Sequence, residues 1–209
     1  MALLAVGLAG GCQIGAFIGG MAASADRKGS RTVPAKYPRL ENASFAVIVA
    51  SDRSIQGEQP DAVPLLTREI TRRLSENCGA SGMVPADEIL RFQYQRPGWI
   101  AMSPGELAST LNVQRLVFID LQEYALTEPG NPYVWNGTAS GVVSVLEADS
   151  RTPDDFVFRE NIRVHFPDSE GLSQSQVPRQ TVELELARRF IHRSSWLFYD
   201  HDEANALKY

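Results

Sequence analysis

The chain has 209 residues, 44% hydrophobic and 22% charged, with a net charge of −5. That is enough apolar material for one domain with a substantial core, and it excludes a disordered chain. The acidic balance excludes a sequence-independent nucleic-acid binder and disfavours electrostatic docking on an acidic membrane. Two cysteines, Cys12 and Cys78, form neither a disulfide framework nor a zinc cluster, so no metal and no cofactor is expected.

Residues 1–25 carry no charged side chain, and Asp26, Arg27 and Lys28 then arrive together. As a helix this run would reach ~38 Å, longer than the ~30 Å hydrocarbon core. Within it, Leu8-Ala9-Gly10-Gly11-Cys12 resembles the lipobox of bacterial lipoproteins, with leucine one place further from the cysteine than that family usually has it. The resemblance implies cleavage before Cys12, lipid attachment to its thiol and, with Gln13 next, the outer membrane. A second pattern overlaps the first. Gly7, Gly11, Gly15 and Gly19, followed by Ala23, would line one helix face and suit close packing of membrane helices. A compositionally biased leader with a glycine-rich linker is the third reading.

Residues 26–43 read as a polar linker carrying Pro34 and Pro38, and residues 44–199 as a single α/β domain. FAVIVA (45–50) is a buried strand and 51–61 a polar loop. A helix over 62–78 follows, with Asp61 as N-cap, Val63, Leu66, Ile70 and Leu74 on its core face, and Gly79 as its stop. Residues 82–92 give a short strand and a helix opened by Pro85. Ser103-Pro104-Gly105-Glu106 is a capping box with proline at the first helical position. A second buried strand spans 115–126, turn chemistry 127–137, and a further strand 138–148. From 156 to 166, Phe156, Phe158, Ile162, Val164 and Phe166 alternate with polar residues, as in a half-solvated strand. A helix over 178–196 packs Val182, Leu186, Phe190 and Ser194, and 200–209 is a polar tail. The expected fold is α/β (α+β): one mixed sheet with helices packed on it, antiparallel strands near the C-terminus and a closing helix.

The rhythm of FAVIVA, a helix, MVPADEIL, ELASTLNV and RLVFIDLQEY resembles the α/β domain shared by three envelope groups. These are the curli-secretion lipoprotein, the penicillin-binding-protein activator lipoproteins and the amino-terminal domain of the Tol translocation protein. The resemblance covers residues 45–148 and implies a periplasmic protein-binding module.

No nucleophile elbow, P-loop or dinucleotide fingerprint occurs. His165, His192 and His201 lack metal-ligand spacing, and Asp200-His201-Asp202-Glu203 reads as solvated tail. Cys78 sits at a helix C-terminus, where the dipole disfavours a thiolate. Asp52 and Glu58 lie in the loop after the first buried strand, where α/β sheets bind ligands, and could serve a hydrolase. Tyr94, Trp99, Tyr133 and Trp135 stand on two Pro/Gly-bearing segments, as binding residues or as cover for the sheet edge. The reading that results is a non-enzymatic, lipid-anchored protein on the periplasmic side of the envelope, attached through Cys12, whose domain binds another envelope protein. The alternatives are an envelope hydrolase using Asp52 and Glu58, and a membrane oligomer joined through its glycine repeat.

Overall fold

The computed structural model describes residues 29–169 and 171–205. Cys12 and the glycine repeat lie outside the described residues. The described residues divide into a small unit, 29–33 with 201–205, and a large one within 34–200.

In the small unit, β1 (Ser30–Val33) pairs antiparallel with β7 (His201–Ala204). The Thr32 hydroxyl donates to Asp202 at 2.7 Å, and Arg31 bonds Glu203 at 3.1 Å. Residues 201–204, expected in a solvated tail, are therefore a strand, because each acidic side chain has a partner across the pair.

The large unit holds a five-stranded sheet in the order β3-β2-β4-β5-β6. Its strands are β2 (Ser44–Ser51), β3 (Gly82–Met83), β4 (Arg115–Glu128), β5 (Asn131–Glu147) and β6 (Phe156–Phe166). β2 runs parallel to β3 and β4, while β5 and β6 continue antiparallel. This is the mixed sheet with covering helices and a closing helix that the residue pattern implied. β2 is buried on both faces, which is why it reads as an unbroken apolar run. Phe45, Val47 and Val49 face one layer, Ala46 and Ile48 the other.

Helices α2 (Ala62–Asn77) and α5 (Arg179–Ser195) build the first layer. Leu66, Ile70 and Leu74 from α2 are fully buried with Val182, Leu186 and Phe190 from α5. Each such side chain contributes about 1.5–3 kcal/mol by burial. Asp61 precedes α2 but makes no side-chain cap bond. Helices α3 (Ala86–Gln95) and α4 (Pro104–Thr110), joined by a 3₁₀ turn (Pro97–Ala101), build the second layer around Ile89, Leu107 and Leu116. The capping box at Ser103 and Glu106 is present in full.

Further expectations give way. The polar loop 51–61 contains a helix, α1 (Arg53–Glu58). The region 26–43 is no simple linker: Tyr37 and Leu40 join the main core, and the Tyr37 hydroxyl donates to Glu147 at 2.7 Å. The turn expected over 127–137 shrinks to Pro129-Gly130, since β5 begins at Asn131. Gly130 has φ +85°, which only glycine adopts freely, and that tight corner lets β4 and β5 pair almost to their ends.

Phe156 and Phe158, expected on one face, sit on opposite faces. Leu146 pairs with Phe156 and Val145 with Phe158, so Val157 is an extra residue in β6. The bulge turns Phe156 into the second layer against Phe118, while Phe158 packs on Tyr37 in the first.

Candidate functional site

Asp52 is the N-cap of α1; its Oδ1 accepts from the Ile55 amide at 2.8 Å. Glu58 closes the same helix. Six residues at ~1.5 Å rise set the two backbone positions ~9 Å apart along the helix axis. A loop carrying two poised carboxylates is thus replaced by a capped helical turn.

The four aromatic residues also separate. Trp135 is 4% exposed, and its indole N–H donates to the Val177 carbonyl at 2.8 Å. It belongs to the core, because β5 extends beneath the segment Leu172–Gln174: the Trp135 amide donates to the Leu172 carbonyl at 2.8 Å. Trp99 is half-buried against Phe118 in the second layer. Tyr94 and Tyr133, by contrast, are 87% and 78% exposed, and Ile100 beside Trp99 is 60% exposed.

The second face of the sheet is apolar only near α3 and α4. Beyond Phe118 and Phe156 it carries cross-strand rows in register across β4, β5 and β6: Asp120, Val142 and Asn161, then Glu123, Ser140 and Arg163. Small residues on β5 form the floor, and charge stands on both flanks. Gly141, between two of these rows, has the Asp120 carbonyl where its Cβ would lie, at 2.5 Å. A second bulge, at Gln122, keeps Tyr124 and Leu126 on the core side of β4.

Where this face meets the β4–β5 hairpin it curves into an open cleft of about 700 Å³. Glu58, Glu123, Glu128, Arg163, Asn136 and Thr138 line it. Glu123 accepts from Ser140 at 3.3 Å and lies 3.5 Å from Arg163; Glu128 accepts from the Asn136 amide. Of the residues singled out from sequence, only Glu58 reaches the cleft. Glu123 and Arg163 are 40 positions apart in the chain and meet only through strand register, so no local pattern announces them.

A second groove, of about 560 Å³, runs between α3 and α4 and is lined by Glu88, Arg91, Phe92, Gln95, Arg96 and Leu111 among others. The Arg96 guanidinium stacks over Phe92, 5.6 Å from the ring centroid. Arg68 neutralises neighbouring Asp87 at 2.9 Å. This corner is net basic, whereas the cleft at the hairpin is net acidic.

Other titratable groups are committed inside the fold. Burial pushes the Cys78 thiol up to about 12, so the neutral thiol is favoured. Burial also raises the Tyr37 hydroxyl, reinforced by its bond to Glu147, and the Tyr124 hydroxyl, reinforced by nearby Glu183. Among the described residues no group of three His, Cys, Asp or Glu side chains could hold a metal ion. No described helix is long and apolar enough to cross a membrane.

No protein-family model matches the chain, and no curated protein does. Solved structures resemble it at low identity. A lipoprotein from Neisseria meningitidis is 13% identical, over 70% of this chain and 94% of that one, with a TM-score of 0.46. The dodecameric PelC of Paraburkholderia phytofirmans is 12% identical, over 81% and 98%, with a TM-score of 0.47. A DUF330 protein from Xanthomonas campestris is 12% identical, over 80% and 89%, also with a TM-score of 0.47. At these identities and scores nothing about the function of this chain follows from them.

Proposed function

We propose that this chain is a non-enzymatic protein of the bacterial envelope, anchored at the periplasmic side of the outer membrane by lipid on Cys12, whose α/β unit binds another envelope protein. The kinship with the curli-secretion, penicillin-binding-protein activator and Tol groups is part of this proposal. One observation carries the binding role. Tyr94 on α3 and Tyr133 on β5 stand 87% and 78% exposed, and Ile100 in the 3₁₀ turn after α3 is 60% exposed. Large exposed rings are what binding hot spots look like before the partner arrives. Asp52 caps α1 and Glu58 lies at its far end, so the two carboxylates belong first to a helical turn.

Two measurements test the reading. Mass spectrometry of the membrane fraction should find Cys12 as a lipid-bearing N-terminus, and Cys12→Ser should release the protein from the membrane. An unmodified Cys12 in a full-length chain refutes the anchor. Photo-crosslinking from positions 94 and 133 in intact envelopes should give one discrete adduct. Crosslinks no stronger than those from an exposed polar position on another helix, such as Ser75 on α2, refute the binding surface.

A further inference from the structure

We propose that copies of this chain associate head to tail: the acidic cleft at the β4–β5 hairpin of one copy receives the basic corner of α3 and the 3₁₀ turn of the next. The inference rests on the reading of the large unit as a protein-binding module and names a second copy as occupant of its two surfaces.

The charges are complementary. In the cleft Glu58, Glu123 and Glu128 outnumber Arg163. At the corner Arg91 and Arg96 outnumber Glu88, the carboxylate of Asp87 being taken by Arg68. Neither Arg91 nor Arg96 forms an ion pair among the described residues; Arg96 only stacks on Phe92. The elements that bear the two charged surfaces each carry a highly exposed tyrosine, Tyr133 on β5 and Tyr94 on α3. A contact that takes in these rings would combine aromatic area with opposite charges, as specific interfaces do. Opposite charge across a rim steers encounter and rejects wrong registers. Because the two surfaces differ, the contact is heterologous, and repetition yields a ring or a filament, not a two-fold dimer.

The test is a charge exchange on the full chain in mild detergent, followed by analytical ultracentrifugation. Wild type should assemble at ~50 mM NaCl and weaken at least ~tenfold at ~500 mM, where surface charge is screened. R91E/R96E should weaken assembly at least ~tenfold, since like charges then face one another, and so should E58K/E128K. All four positions are exposed. R91A/R96A, which introduces no new charge, should act in the same direction and guards against a folding defect in the reversal. An equimolar mixture of the two reversed chains should regain assembly, because each surface then meets its opposite on the other variant. A monomeric wild type at low salt, assembly that ignores both reversals, or a mixture that stays apart overturns the inference. If wild type is monomeric while positions 94 and 133 crosslink to another protein in envelopes, the inference fails and the binding role survives.

Discussion

Arg189, buried on α5, grips Asp168 with a fork: Nη1 and Nη2 stand 2.6 and 2.9 Å from its two carboxylate oxygens. The same guanidinium donates to Glu185 at 2.9 Å and to the His165 carbonyl at 2.8 Å, and stacks 4.9 Å from the centroid of Phe166. One side chain thus joins the closing helix, the end of β6 and the loop after it. Removing it takes a bond from Asp168, from Glu185 and from the His165 carbonyl at once. Arg189→Ala should lose about 1–3 kcal/mol in urea unfolding, less than a pair buried on both sides would, because the Asp168 carboxylate keeps contact with water. Arg189→Lys should recover little, because an ammonium cannot present a planar fork. Recovery of most of the loss by lysine would show that charge alone suffices.

Glu185 gives the same cluster a pH dependence. Its carboxyl is held below the ordinary range first by hydrogen bonds from Arg188, then by Arg189, with burial working the other way. A lowered folded pKa means that the folded state favours the ionised form. The stabilisation is therefore complete above the unfolded value of about 4.3 and is lost as pH falls through the folded one. Glu185→Gln should be less stable than wild type at neutral pH, and the two unfolding free energies should converge in acid. Parallel curves between pH 7 and pH 3 would rule this out.

Gly105 and Asp154 fix how α4 meets the β5–β6 loop. Asp154 Oδ1 accepts from the Ser103 hydroxyl at 2.7 Å and from the Gly105 amide at 3.1 Å. A Cβ on residue 105 would lie 2.6 Å from that oxygen and 2.7 Å from the Pro153 carbonyl. Alanine is the better helix former by ~1 kcal/mol, yet Gly105→Ala should destabilise by about 1–3 kcal/mol, because backbone must move. Asp154→Ala should lose about 1 kcal/mol, as a missing cap does. The double variant should cost less than the sum, since removing Asp154 relieves half of the clash. Strict additivity in thermal unfolding would mean that the two residues do not share this contact.

What was legible in the sequence is what neighbouring residues decide together. Leu66, Ile70 and Leu74 mark a helix face by spacing alone, Ser103 and Glu106 mark a helix start, and β2 shows as an apolar run because both of its faces are covered. What was hidden depends on distant partners. Phe156 and Phe158 alternate perfectly in sequence; only pairing with β5 reveals that Val157 is extra. Tyr37 and Leu40 are isolated apolar residues among prolines and have no period to betray their burial. Trp135 looked like a loop aromatic because proline and glycine surround it, yet those residues stand beside a single tight corner in a long hairpin. Helix α1 has six residues and contains Gly57, so its existence depends on the Asp52 cap and on Ile55 reaching the core. Of the acidic cleft, one carboxylate in three was foreseen, because strand register assembles the rest.

The interface of α2 and α5 tests how well buried polarity is tolerated. Thr71 on α2 and Ser194 on α5 are 2% and 0% exposed, and neither side-chain oxygen has a hydrogen-bond partner. Thr67, one turn earlier on α2, is equally buried but donates to the Val63 carbonyl at 2.8 Å. A hydroxyl taken from water without a replacement bond costs about 1–3 kcal/mol. Thr71→Val keeps the shape and removes the unbonded group, so it should raise unfolding free energy by about 1 kcal/mol. Ser194→Ala should do the same to a smaller extent, because the lost oxygen leaves a little space behind. Thr67→Val is the control: it deletes a satisfied donor whose carbonyl partner Val63 remains bonded within the helix, and should change stability little. A Thr71→Val variant no more stable than wild type in urea would mean that its hydroxyl finds a partner in solution, such as a buried water.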